Sequence, residues 1–199
     1  LYGSDSLIES STQTIRALDG GFGMTGWWID GDNPVWSNTI LIKTDSLGNQ
    51  EYLKEYTDNP NYDYMGRSLV QTPDSGFLIL SEVRVPSWLD HIGLIKTDKH
   101  GNQEWIQYIP TQGNERFNNG FDIIDTDDGG YLIAGAKNFS FAPDTMRFAV
   151  HKICPDAELP WRKTYGGNPE EGFTELIKTQ EGSGFILAGL KYLYNPCHL

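Results

Sequence analysis

Apolar and aromatic residues fall in short runs along this chain, and Gly, Asp, Asn or Pro breaks each run before it reaches helical length. Between Gly120 and Tyr165 the runs read GFDIIDT, GYLIAGA, RFAVHKI and LPWRKTY. Runs of this size, rich in β-branched and aromatic residues and separated by turn chemistry, predict strands. Four in succession predict an antiparallel meander, and the fold class is all-β.

The same pattern returns at a fixed distance. LDGGFGMTG at Leu18–Gly26, PDSGFLILS at Pro73–Ser81, DDGGYLIAG at Asp127–Gly135 and GSGFILAG at Gly182–Gly189 place a glycine before an aromatic at Gly21-Phe22, Gly76-Phe77, Gly130-Tyr131 and Gly184-Phe185. The period is about 54 residues. A second phrase keeps step: IKTDSLGNQEY from Ile42 and IKTDKHGNQEW from Ile95, with Lys43, Lys96 and Lys152 in register and an aromatic nine residues after each, at Tyr52, Trp105 and Trp161. Thr164–Gly167 (TYGG) echoes Leu1–Ser4 (LYGS). Periods of this kind mark repeat architectures, and four antiparallel strands repeated about an axis describe a β-propeller blade, with a β-solenoid as the competing reading. The units run over about 1–55, 56–108, 109–164 and 165–199, the last incomplete, within one domain spanning 1–199. About three and a half blades are expected, as a fragment of a larger propeller, a small ring with an incomplete fourth blade, or a ring closed by another copy. Open strand edges in such a piece invite self-association.

Turn chemistry supports the strand boundaries. Asp19-Gly20 and Asp128-Gly129 suggest two-residue hairpins with both central residues at positive φ. In the second phrase, Asp45, Gly48 and Asn49, and again Asp98, Gly101 and Asn102, read as structural turn residues. The aspartate accepts backbone N–H groups, the glycine supplies positive φ, and the aromatic that follows packs between units. Calcium is the functional alternative for these aspartates. The third unit reads KICPDAELPW, with Cys154 at the aspartate position and Ala157 at the glycine position, so its turn is expected to differ. His151, where Ile42 and Ile95 stand, reads as a core histidine.

The Asp45 and Asp98 turns loosely resemble the Asp-box hairpins of sialidase-type propellers, but two residues rather than one separate Asp from Gly, and no catalytic meaning carries over. As a set, DGGY.IAG, LIKTD..GN..W and KTYGG resemble the propeller-like repeats of secreted and surface proteins from bacteria and some archaea. The resemblance spans nearly the whole chain. It implies a propeller fold and an extracytoplasmic, non-enzymatic role.

Charge narrows the partners. A formal net charge of -12 and a pI near 4.6 repel phosphate backbones and anionic membranes, so nucleic acid is not expected as a partner. No run of 18 or more apolar residues is present, so no membrane span is predicted. The start at Leu1 shows no signal-peptide pattern, so a signal is either absent or already removed. Cys154 and Cys197 match no zinc spacing, and spacing alone does not pair them. Asn138–Ser140 is a glycosylation acceptor only in a glycosylating source.

In a meander the turns alternate ends. The DGG and D..GN hairpins share one end, and the long unrepeated connections share the other, where binding residues tend to collect. Around those connections lie Trp27, Trp28, Trp36, Trp88, Phe139 and Phe141, with Asp30, Asp32 and Arg84 nearby. Such a set suits stacking on sugar rings with polar groups on their hydroxyls, or an aromatic-anchored protein contact. The expectation is a binding or scaffold module for a glycan or protein ligand, without cofactor or metal. The alternative is a carbohydrate-active hydrolase of the sialidase or glycosidase kind. Its carboxylates would come from Asp30, Asp32, Asp63, Glu115, Glu170 and Glu171, and its arginines from Arg67, Arg84, Arg116 and Arg147. No nucleophile elbow, zinc-protease helix, P-loop or dinucleotide fingerprint is present.

Overall fold

The computed structural model describes residues 8–29, 36–86, 91–110, 115–139, 142–154, 158–165, 171–179 and 184–191, and their side chains except at 8–9, 115–119, 136–139, 142–147, 171–174 and 190–191. All regular structure in them is strand. Sheet 1 comprises β1 (Ile8–Arg16), β2 (Phe22–Ile29), β3 (Ser37–Thr44) and β4 (Gln50–Tyr56). Sheet 2 comprises β5 (Asp63–Gln71), β6 (Phe77–Arg84), β7 (His91–Thr97) and β8 (Gln103–Tyr108). Sheet 3 comprises β9 (Glu115–Asp125), β10 (Tyr131–Phe139), β11 (Ala142–Ile153) and β12 (Trp161–Tyr165). Sheet 4 holds β13 (Glu171–Lys178) and β14 (Phe185–Lys191). Within each sheet the strands pair antiparallel in chain order. No helix among these residues is long and apolar enough to cross a membrane.

The sheets stack face to face. The first strands lie against one another, β1 with β5, β5 with β9 and β9 with β13, whereas the fourth strands make no comparable contact, so the sheets fan outward from a line of first strands. We call the face covered by the next sheet the front and the opposite face the back. Sheet 2 is covered on both sides, and β6 is accordingly buried from Phe77 to Val83, which explains the unbroken apolar run from Phe77 to Leu80. One core joins the front of sheet 1 (Leu41, Tyr56) to the back of sheet 2 (Phe77, Ile79, Ile95). A second joins the front of sheet 2 (Leu78, Leu80, Ile92, Leu94) to the back of sheet 3 (Ile123, Tyr131, Ile133). The third joins Leu132, Ala134 and Val150 to Leu176, with Phe185 packed against it. Each fully buried side chain of this size contributes about 1.5–3 kcal/mol relative to an exposed one.

A bulge recurs in every first strand, at Thr12, Arg67, Phe121 and Thr174, where the register with the second strand shifts. A bulge bends its strand and re-aims the next side chain. That next residue reaches the backbone of the following sheet. Gln13 Oε1 accepts the Leu69 N–H at 2.6 Å, Ser68 Oγ accepts the Ile123 N–H at 3.2 Å, and Asp122 Oδ2 accepts the Leu176 N–H at 2.8 Å. Ser68 Oγ also donates to Asp122 Oδ1 at 2.7 Å. The three sheet boundaries are thus laced by one line of polar contacts.

Two expectations need correction. The hairpins between first and second strands are not two-residue turns, because only one residue in each has positive φ: Gly20 at 86°, Ser75 at 68° and Gly129 at 81°. Ala17 accepts from the Gly20 N–H and donates to the Gly21 carbonyl, giving a turn of three residues whose last is left-handed. Asp19 keeps ordinary φ because its carboxylate caps the turn, accepting the Gly21 N–H at 2.9 Å. Second, strands extend into the segments expected as long loops: Trp27 and Trp28 pair with Thr39 and Asn38, and Phe139 with Ala142. Cross-strand pairing overrides the local turn signals there.

Candidate functional site

At the hairpin end, every repeated polar residue has a structural task. Lys43 is 4% exposed, yet its ammonium donates to Asp19 Oδ2 at 2.6 Å, Glu51 Oε2 at 2.8 Å and the Thr44 carbonyl at 2.9 Å. All three of its protons are used. Burial opposes the charge, but the two carboxylates overcome it and hold the lysine above its ordinary value. Lys96 repeats the arrangement with Asp74 at 2.7 Å, Glu104 at 3.0 Å and the Thr97 carbonyl at 2.7 Å. Lys152 bonds Asp128 and Thr126, and Pro160 stands where the glutamates stand. A Cβ added at Gly21, Gly76 or Gly130 would lie 2.0, 2.0 or 2.4 Å from a carbonyl oxygen of the third strand, and within 3.0 Å of the lysine nitrogen. The glycine-aromatic phrase and the lysine phrase are therefore two halves of one clamp.

The Asp45 and Asp98 turns are equally self-contained. Asp45 Oδ1 accepts the N–H groups of Leu47 and Asn49, and Oδ2 accepts the Asn49 side-chain amide. The Asn49 amide and backbone hold the Asp45 carboxyl below the usual carboxylate range. Asp98 is held by His100 and Asn102 in the same way, and Gly48 and Gly101 have φ of 85° and 73°. The second turn also docks on sheet 1: Tyr56 OH donates to the Gly101 carbonyl at 2.8 Å, and Lys54 reaches Asn102 at 3.4 Å. Cys154 donates its N–H to the Glu158 carbonyl at 2.8 Å, closing the third turn around residues outside the description.

The loop end is built differently, with no motif shared between sheets. In sheet 1, Trp28 Nε1 and Asn38 Nδ2 both donate to Glu55 Oε2, at 2.8 and 3.1 Å. Trp27 and Trp28 are consecutive in β2, so they occupy opposite faces and cannot form one stacking surface. Trp27 faces front with Thr39, and Trp28 lies on the back face. Trp36, half-buried, immediately precedes β3. Between sheets 1 and 2, Tyr108 OH donates to Asp58 Oδ1 at 2.7 Å, Tyr64 OH bonds the same carboxylate, and the two hydroxyls lie 2.7 Å apart. Burial first, and then the Asp58 carboxylate, pushes Tyr64 up to about 12, so it stays a donor at neutral pH. Asp63 Oδ1 accepts the Ser37 N–H at 2.7 Å, tying β3 to β5.

One cluster at this end combines buried charge with donors turned outward. Glu82 is 3% exposed and carries an arginine on each oxygen: Arg67 Nε at 3.0 Å and Nη2 at 2.5 Å on Oε2, and Arg84 Nε at 3.0 Å on Oε1. The Arg84 side chain is 51% exposed, and among the described residues its terminal nitrogens have no partner. A guanidinium fixed through Nε presents two parallel donors, a geometry suited to carboxylates and to vicinal hydroxyls. Neither the Arg67 and Arg84 pairing nor the role of Glu82 had a motif to announce it.

No protein-family model matches the chain, and no curated protein does. Among solved structures, the chain is similar to a protein of unknown function from Bacteroides caccae, at 11% identity and a TM-score of 0.49 over 87% of this chain. The match covers 51% of that protein, so the chain spans about half its length.

Of the residues expected at the site, Asp30, Asp32, Trp88 and Phe141 lie outside the described residues, and the side chain of Phe139 does too. The same holds for Glu170 and for the side chains of Glu115, Glu171, Arg116 and Arg147. By backbone register, Arg116 is opposite Asn138 and Arg147 opposite Lys137, at the loop end of sheet 3. A groove of about 220 Å³ at the hairpin end, lined by Leu18, Gln71, Pro73 and Tyr131, is below the size range of small-molecule sites.

Proposed function

We propose that the chain is a β-propeller-type binding module of an extracytoplasmic protein, of the secreted and surface repeat kind it resembles. It presents the loop end of its sheets to a glycan or protein partner and performs no catalysis. The propeller reading rests on the period of about 54 residues and on four-stranded meanders that fan from a line of first strands. The binding reading rests on one observation: Arg84, anchored through Nε to a buried carboxylate, turns its remaining donors outward at the end where half-buried Trp36 also lies.

The alternative, a hydrolase acting on an acidic sugar, draws on the meeting of Arg67 and Arg84. Against it, the carboxylate between them is buried with both oxygens already held by arginines. A glycan-array screen of the chain beside a Trp36→Ala, Arg84→Ala double variant tests the site, with circular dichroism as the fold control. Binding by the parent, lost in the variant, is the expected result, and release of sugar from a bound glycan would favour the hydrolase. Equal signals from parent and folded variant would sink the loop-end site. Silence from both arms would remove the sugar and leave a protein partner as the reading.

A further inference from the structure

The two terminal faces of the stack copy, position for position, faces that are buried inside it. On the front of sheet 4, Ile177 and Ile186 are 43% and 53% exposed, and Glu175 and Ala188 complete the same face. At the repeat period these positions correspond to Val70, Leu78, Ser68 and Leu80 in sheet 2, and to Ile124, Leu132, Asp122 and Ala134 in sheet 3. Both of those sets are covered by a following sheet. On the back of sheet 1, Phe22 is 37% exposed with Met24 and Ile42 beside it. Their counterparts in sheet 2 are Phe77, Ile79 and Ile95, all fully buried against sheet 1.

We propose that a second copy of this chain docks head-to-tail, the front of sheet 4 receiving the back of sheet 1 with Phe22 over Ile186 and the Glu175 carboxylate accepting the Thr14 N–H. Each element repeats a contact already made within the chain. The aromatic that opens the second strand packs on one position of the preceding sheet every time. The Phe77 ring covers Gly23, Tyr131 joins Leu78, and Phe185 packs with Leu132. The next pair in that series is Phe22 on Ile186. The polar line is also one step short: Gln13 takes the Leu69 N–H, Ser68 that of Ile123 and Asp122 that of Leu176. Glu175 occupies the next acceptor position and Thr14 the next donor position, and both are exposed.

Arg16 sits where Gln71 and Lys178 reach back to the preceding hairpin, Gln71 accepting the Leu18 N–H and Lys178 pairing with Asp127. It therefore brings a cation to the same boundary. The contact joins two different faces, so repeating it produces a ring if the rotation closes and a longer array if it does not.

The test is sedimentation or light scattering of the chain across a concentration series, with Phe22→Glu and Ile186→Glu variants checked for folding by circular dichroism. The expected result is a mass that rises with concentration in the parent and stays monomeric in each variant. Mixing the two variants should restore a dimer, because each retains the face the other has lost. A face pairing with its own copy would not be rescued by mixing. If a variant fails to fold, a Thr14→Cys, Glu175→Cys chain is expected to give a disulfide-linked dimer under oxidation. A monomer at all concentrations, association untouched by either variant, or absence of that crosslink overturns the proposal. Since Phe22 and Ile186 lie apart from Trp36 and Arg84, loss of association and loss of ligand are separable results.

Discussion

The two ends of these sheets obey different rules. At the hairpin end, an aspartate, a glycine and a lysine recur in three sheets, and each polar atom is used on a neighbour: the Lys43 ammonium on two carboxylates and a carbonyl, the Asp45 carboxylate on its own turn. At the loop end, sheet 1 ties a tryptophan to Glu55, while sheet 2 holds Glu82 between arginines. Residues recur where they are needed to close a hairpin against its neighbour. Where the strands are already held, the sequence is free to differ, and Arg84 keeps donors for something else.

The severest way to break the hairpin end is a single methyl group. Gly76→Ala places a Cβ 2.0 Å from the Thr97 carbonyl, a backbone atom paired in β7, so the strand itself must move. We expect a loss of about 3 kcal/mol, the upper part of the overpacking range, read by urea unfolding. Arg84→Ala at the loop end takes the donor from Oε1 of the buried Glu82 while Arg67 still pairs with Oε2, so the loss should be about 1 kcal/mol, the low end of the cost of an unmade buried hydrogen bond. Similar losses at both sites would erase the contrast between the ends.

The clamp can next be taken apart from either side. Removing both carboxylates with Asp19→Ala and Glu51→Ala strands an ammonium whose side chain is 5% exposed. Lys43→Met instead leaves two carboxylates that are about half exposed and can be hydrated. The first change should cost about 3 kcal/mol, as when one partner of a buried pair is deleted, and the second about 1 kcal/mol. Equal costs would mean that the lysine is hydrated despite its burial. A larger cost for Lys43→Met would show that its packing matters more than its charge.

Which of these features could be read beforehand depends on whether residue type or only role repeats. The strands, their order and the period were legible because Gly-aromatic and Lys-Thr-Asp recur in identity. The clamp was within reach, since Asp19 with Lys43 and Asp74 with Lys96 both sit in repeated phrases, but nothing in either phrase names its partner. The line of contacts through Gln13, Ser68 and Asp122 was hidden, because an amide, a hydroxyl and a carboxylate share only the capacity to accept an N–H. Trp27 and Trp28 misled for a simpler reason. A loop-like composition concealed a strand, whose alternation sends the two rings to opposite faces.

The mildest test uses pH. Burial tends to raise the Asp74 carboxyl, but the Lys96 ammonium, the Thr72 hydroxyl and the Gly76 N–H overcome it and hold it at about 2. Asp19 and Asp128 are held low by Lys43 and Lys152, together with backbone N–H groups. A carboxyl depressed by folding stabilises the native state fully above its unfolded value of about 3.9, and that contribution is lost as pH falls through the folded value. The melting temperature should therefore drop most steeply between about pH 4 and about pH 2. Asp74→Asn removes one of the three groups and should make that drop shallower while lowering stability slightly at neutral pH. Because Asp74 is more than half exposed, solvent screening keeps the effect small. A drop of unchanged steepness in the variant would mean that the Asp74 and Lys96 pair contributes nothing to folding, and that the glycine and the turn geometry alone hold that hairpin.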